Sequence, residues 1–131
     1  MLIQAHLGYA MLHRLGLSKA AYDLLSTMAE VQRPGGEVNA SQAELAQSVP
    51  LSKNRTSIAM NQLVERHVVL RPHNRYRSYF IHPYFAGYSN LEEMEEALHT
   101  ANEAIRAGEL PEPSLPDAPR HLSAVPDRRT A

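Results

Sequence analysis

At 131 residues, with 44% apolar side chains, the chain is long enough for one cored domain and too short for two of ordinary size. It contains no cysteine, which excludes disulfide frameworks, thiol chemistry and cysteine-based zinc sites and fits a reducing compartment, the cytoplasm. The formal net charge of −1 conceals a division: residues 1–90 carry nine Lys/Arg against five Asp/Glu, a balance of +4, and residues 91–131 carry four against nine, a balance of −5.

The first stretch, "MLIQAHLGYAMLHRLGLS", lacks a charged leader, and Gln4, His6 and Gly8 interrupt its apolar run, so it reads as neither a signal peptide nor a membrane span. Ile3, Leu7, Met11 and Leu15 fall four apart, which predicts a helix over residues 2–16 weakened by Gly8. Ser18 is placed to cap a second helix, "KAAYDLLSTMAEVQ", with Ala21, Leu24, Leu25, Met28 and Val31 as its buried stripe. "RPGG" at 33–36 stops it, because proline cannot continue a helix and the glycines permit a tight turn. "EVN" reads as a short extended segment.

Ser41 and Glu44 then have the spacing of a capping box and open a helix over 42–49, which Pro50 ends by restricting Val49. Ser52 caps the next helix, which runs to about Arg66. "VVLRP" and "YRSYFIHP", joined through "HNR", read as the strands of a hairpin with Tyr79 and Ile81 alternating onto one face. Ser89 or Asn90 caps a last helix that stops at Gly108. Residues 109–131 carry prolines at 111, 113, 116, 119 and 126 with no apolar period, and are expected to be a disordered tail.

Helix, short strand, helix, tight turn, helix, hairpin is the order of a winged helix-turn-helix. The expected class is therefore mainly α with a small β-hairpin. Residues 1–17 form an N-terminal helix or arm, 18–88 the winged module, 89–108 a C-terminal helix and 109–131 the tail.

Residues 50–82 carry six basic side chains against one acidic, a balance of +5, and a local basic surface is what a polyanion requires. On the 53–66 helix, Thr56, Met60, Leu63 and His67 share one side, where Met60 and Leu63 are expected to pack on Leu24, Met28 and Leu45. That turns Ser52, Lys53, Asn54, Arg55, Ser57, Ile58 and Asn61 outward. A helix start already offers free backbone N–H groups and a positive dipole end. With these side chains it can enter a DNA major groove, Arg reading guanine, Asn reading adenine and Ile58 meeting a thymine methyl. Arg71, His73, Asn74, Arg75 and Arg77 cluster in the hairpin, where a wing can follow the phosphate backbone or insert Arg into a minor groove.

The segments "LGLSKAAYDLL", "VNASQAELAQSV", "LSKNRTSIAMNQLVERHVV" and "YFIHPYFAGYSN" resemble the winged-helix plasmid replication initiators of the RepL type and, more loosely, the MarR-like regulators. The resemblance runs from Leu15 to about Asn90. It departs from the pattern at His82, where Asn is usual before Pro83, and at His67, where many MarR-like proteins place a helix-stopping Gly. A left-handed residue is less comfortable as His, so the helix is expected to run on slightly or end differently. The resemblance implies an origin- or operator-binding protein with no catalytic residues.

Seven histidines raise the question of a metal or a catalytic site. His6 and His13 are two helical turns apart, too far for one ion, and no carboxylate pattern accompanies His67, His73 and His82. The His-hydrophobic-His signature of nicking replication enzymes, a phosphate loop and a nucleophile motif are all absent from the sequence. No enzyme activity, metal or cofactor is expected.

In the last helix Leu91, Met94, Leu98, Ala101 and Ile105 form an a/d seam among glutamates. The seam is read as a homodimer interface, the alternative being a helix folded back on residues 3–15. The expected partners are double-stranded DNA, a second copy and host replication machinery, with no membrane. The competing readings are a MarR-like transcriptional repressor of the same fold and a winged helix kept only for protein interaction.

Overall fold

A computed structural model describes residues 2–71 and 78–113. They form a small mixed α/β domain of five helices and small antiparallel sheets: β1 (Ile3–Gln4), α1 (His6–Leu12), α2 (Lys19–Val31), β2 (Glu37–Asn39), α3 (Gln42–Ser48), α4 (Lys53–Glu65), β3 (Val69–Leu70), β4 (Ser78–Ile81), β5 (Gly87–Tyr88) and α5 (Leu91–Arg106). Among the described residues no helix is long and apolar enough to cross a membrane.

Local chemistry starts the three central helices. The Ser18, Ser41 and Ser52 hydroxyls each accept the N–H three residues on, from Ala21, Glu44 and Arg55, at 3.1 Å in every case. Glu44 closes the capping box by accepting the Ser41 N–H at 2.8 Å. Helix α3 ends at Ser48, one residue earlier than expected, and Val49, its cap, keeps helical angles (φ −87°, ψ −1°) and is not driven to an extended form by Pro50.

The end of α4 also differs from expectation. His67 adopts the left-handed conformation (φ 61°) and the helix stops at its predicted place. The His67 N–H reaches the Val64 carbonyl and the Val68 N–H the Leu63 carbonyl, each at 3.0 Å, with Val68 and Leu63 buried together. This pair of hydrogen bonds satisfies two helix-end carbonyls and offsets the side-chain penalty that glycine would have avoided.

One core unites the elements. Leu24, Met28, Leu45, Met60, Leu63, Val38, Val69 and Ile81 are all at most 2% exposed and belong to one cluster. The sheet order is β2–β4–β3, with Val38 opposite Tyr79 and Val69 opposite Ile81. Strand β4 alternates as predicted, Tyr79 and Ile81 inward and Phe80 outward. The predicted hairpin is thus two strands of a three-stranded sheet whose third member is the "EVN" segment.

The N-terminal arm departs from expectation. In place of one helix over 2–16, β1 pairs with β5 (Ile3 opposite Tyr88), and α1 covers only seven residues. Ile3 is consequently exposed, whereas Leu15 is fully buried beyond the helix end. Gly8, read as a weak point, lies where a Cβ would collide with the Tyr84 carbonyl, so it permits close approach of α1 to the 84–85 turn. Val31, expected in the α2 stripe, is 51% exposed. The chain turns away at Gln32, whose side chain goes inward and accepts the Gly87 N–H at 2.8 Å.

The Tyr88 hydroxyl donates to the Pro83 carbonyl at 2.7 Å, and burial pushes its pKa up to about 12. A phenol held neutral in the fold contributes fully below its free value of about 10, and that contribution is lost as pH rises from 10 to 12, about 2–3 kcal/mol in all. Urea denaturation is therefore expected to show wild type losing more stability than Tyr88→Phe between pH 9.5 and 11.5. At pH 7 the variant is expected to be less stable by about 1 kcal/mol, for want of that hydrogen bond.

Candidate nucleic-acid interface

Helix α4 has two faces of opposite character. Thr56, Ala59, Met60 and Leu63 are at most 1% exposed and anchor it in the core. Thr56 is a buried hydroxyl, and it is satisfied by donating to the Ser52 carbonyl at 2.8 Å. That bond adds a second tie to the capped first turn and holds its backbone still.

On the outer face Ser52, Lys53, Asn54, Arg55 and Asn61 are exposed, Ser57 is half-buried, and Ile58 is 61% exposed. Ile58 is the most exposed of five large apolar side chains that stand out among the described residues, the others being Ile3, Val31, Phe80 and Leu91. Among the described residues neither Lys53 nor Arg55 is in an ion pair, and the salt bridges are Lys19–Asp23 and Arg106–Glu103. The two cations are therefore free to take an external anion.

Two neighbours missed by sequence reasoning flank this face. Lys19, at the start of α2, shares a surface groove with Arg55 and Ile58, and Gln42, at the start of α3, shares another with Lys53 and Thr56. Lys19 is paired with Asp23 at 2.9 Å, but the lysine side chain is 89% exposed, so the pair holds it weakly. The α2 start is held there by the Ser18 N–H, which donates to Gln62 of α4 at 2.8 Å. The sequence signal was present in the helix-start positions of both residues, but their nearness to α4 depends on the packing of α2, α3 and α4.

In the hairpin, Arg71 is exposed and its guanidinium lies 5.9 Å from the Tyr79 ring centre, a cation–π arrangement that steadies it at the base of β3 and β4. The other hairpin candidates, His73, Asn74, Arg75 and Arg77, lie outside the described residues, as do tail residues 114–131.

The seam on α5 packs in part against the rest of the chain. Ala101 is 3% exposed in the core cluster, and Met94, Leu98 and Ile105 pack half-buried against it, leaving Leu91, 55% exposed, as the member that stands out. Helix α5 lies on the β1–β5 ribbon, a surface assembled from segments more than eighty residues apart, so part of the seam packs within the chain while its outer edge stays exposed. The start of the tail is also built in. Pro113 is buried and the Pro111 carbonyl lies 2.9 Å from His82 Nε2, so residues 109–113 pack as part of the domain.

Among the described residues no group of three His, Asp or Glu side chains is placed to hold a metal ion. In comparisons with known proteins no family model, no curated protein and no solved structure matches the chain.

Proposed function

We propose that the chain is a sequence-specific double-stranded DNA-binding protein of winged helix-turn-helix form. The order of elements, with β2 before and β3 and β4 after two helices joined by a tight turn, and the three strands in one sheet, supports the fold reading. The observation that carries the function is the outer face of α4: Lys53, Asn54, Arg55, Ile58 and Asn61 are exposed on a helix whose opposite face is locked into the core. In this reading α4 enters the major groove. Lys19, Gln42 and Arg71 contact phosphates on either side, and His73, Asn74, Arg75 and Arg77 complete the wing.

The resemblance carried by "YFIHP" favours a plasmid-type replication initiator acting at an origin and recruiting host machinery. The repressor reading has one observation of its own, a cavity of about 260 Å³ lined by Gln4, Leu12, Leu25, Ser26, Tyr84 and Phe85. That volume is below the roughly 300–1,000 Å³ usual for ligand pockets, and a wider cleft of about 400 Å³ at Leu2, Glu30 and Pro34 is more open, so an effector-controlled repressor is the weaker reading. A second copy, paired through the exposed edge of the α5 seam at Leu91 and its half-buried neighbours Met94, Leu98 and Ile105, is proposed to occupy an adjacent DNA half-site.

Selection of bound duplexes from a random pool tests the proposal. A defined motif is expected, with binding that weakens steeply with salt, at a log–log slope of about −0.9 per phosphate engaged. Absence of enrichment, or binding indifferent to salt, would leave only the protein-interaction reading. A motif that sustains a plasmid when the chain is supplied marks an initiator; one that only silences a promoter marks a repressor.

A further inference from the structure

His82 is 0% exposed, and both ring nitrogens are committed. Nδ1 lies 3.1 Å from the Tyr84 backbone N–H, which can only donate, so Nδ1 must accept. Nε2 lies 2.9 Å from the Pro111 carbonyl, which can only accept, so Nε2 must donate. The neutral ring with its proton on Nε2 satisfies both partners at once. A doubly protonated ring would point an N–H at the Tyr84 N–H in a site closed to solvent. Its own backbone joins the same junction, the His82 N–H donating to the Val68 carbonyl at 2.8 Å beside β3. One imidazole therefore connects the base of the hairpin to the segment that follows α5.

From these contacts we infer that His82 is a proton-operated clasp: neutral, it fastens residues 109–113 to the domain, and on taking up a second proton it leaves its seat and releases them. The bond that fails first is the one to Tyr84, and the ring in leaving takes Nε2 away from Pro111. Burial lowers the pKa of His82 below the ordinary histidine value, against the Pro111 bond, which raises it, and with His67, which lowers it further. From the turn that follows α4 the group facing the ring is thus His67, which disfavours a cation. The Tyr84 hydroxyl donates to Asn102 of α5 at 2.6 Å, and Glu112 and Arg106 act on that tyrosine. The carboxylate nearest in sequence to this junction is Glu112, which follows Pro111 and acts on Tyr84.

The sign follows from the direction of the shift. The clasp is fully closed above the free imidazole value of about 6.5 and weakens as pH falls below it, by at most about tenfold per pH unit. Opening is therefore expected to rise between pH 7.5 and 5.0, by no more than about thirtyfold. It is local, because the segment is peripheral to the main core.

The chain has no cysteine, so Pro113→Cys places a single thiol at a buried position. Its reaction with a methanethiosulfonate reagent, normalised at each pH to the same protein in urea, reports the clasp. Protection is expected at pH 7.5 and a progressive loss of it down to pH 5.0, of up to about thirtyfold, with the helical circular dichroism unchanged. Adding His82→Gln, which keeps a donor within reach of Pro111 but cannot titrate, is expected to make protection independent of pH. Nitrogen NMR of the wild-type ring is expected to show the Nε2–H tautomer at pH 7.5. The inference is overturned by a thiol already reactive at pH 7.5, by protection flat with pH in the His82 protein, or by the same loss in His82→Gln. Helix content falling with protection, or a proton on Nδ1 at pH 7.5, overturns it equally. Should His82→Gln fail to fold, the wild-type tautomer and the Pro113→Cys profile decide alone.

Discussion

Arg55→Ala is expected to weaken binding to the selected duplex about tenfold to a hundredfold while leaving binding to random DNA within about threefold. A bidentate contact from Arg to a guanine edge is worth about 1–3 kcal/mol of discrimination, and each 1.4 kcal/mol is tenfold in affinity. The fold should not suffer. The Arg55 side chain is exposed and pairs with no carboxylate among the described residues, and its backbone N–H, which does hold the Ser52 cap at 3.1 Å, survives in alanine. Alanine is also the better helix former, so melting should stay level or rise slightly. Arg71→Ala is the control with the opposite signature. If its cation meets a phosphate as proposed, all sequences should bind more weakly by the same factor, and the salt slope should flatten by about one. Titrations of both variants against selected and random duplexes at several salt concentrations separate the roles. An Arg55→Ala protein that loses affinity for selected and random DNA equally would reassign that side chain to the backbone.

The parts of this molecule that were legible in its sequence are those decided within a few residues. Ser18, Ser41 and Ser52 were readable as caps because each hydroxyl meets an N–H three positions on. Tyr79 and Ile81 were readable as inward because a strand alternates. The outer face of α4 followed from the same reasoning applied to a helix, since burying Met60 and Leu63 leaves Asn54, Arg55 and Ile58 outside.

What could not be read depends on partners far along the chain. Gly8 is a flaw in a helix until the Tyr84 carbonyl is seen against it. The α5 seam was visible as a seam, but the ribbon that covers it joins Ile3 to Tyr88. His82 stood out only as a departure from a pattern, because nothing local announces that Pro111 and Tyr84 will use both of its nitrogens. Lys19 and Gln42 join the candidate interface for the same reason: their helix starts are local facts, but their place beside α4 is a tertiary one.

The adjacent glycines of the "RPGG" turn are expected to respond to alanine unequally, and the difference measures how tightly the sheet is seated. Both have left-handed backbones, φ +100° at Gly35 and φ +101° at Gly36, so alanine at either is strained by about 1–2 kcal/mol. At Gly35 no atom of the described residues lies within 4 Å of an added Cβ, and the strain is the whole cost. At Gly36 the Cβ would lie 2.7 Å from the Ile81 carbonyl oxygen and 3.0 Å from the Ala86 Cβ. The first of these is backbone and cannot swing aside. Relief requires β4 to move, yet the Ile81 N–H also donates to the Gly36 carbonyl at 2.8 Å and Ile81 pairs with Val69. Overpacking of this kind adds about 1–3 kcal/mol, so Gly36→Ala should cost about 2–5 kcal/mol against about 1–2 for Gly35→Ala. Urea midpoints of the two variants test the difference. Because β4 carries one side of the hairpin, a folded Gly36→Ala protein should also bind all DNA more weakly at a given salt, whereas Gly35→Ala should bind as wild type. Equal destabilisation by the two alanines would mean that the turn is not pressed against β4, and the sheet would then not be what holds the hairpin beside α4.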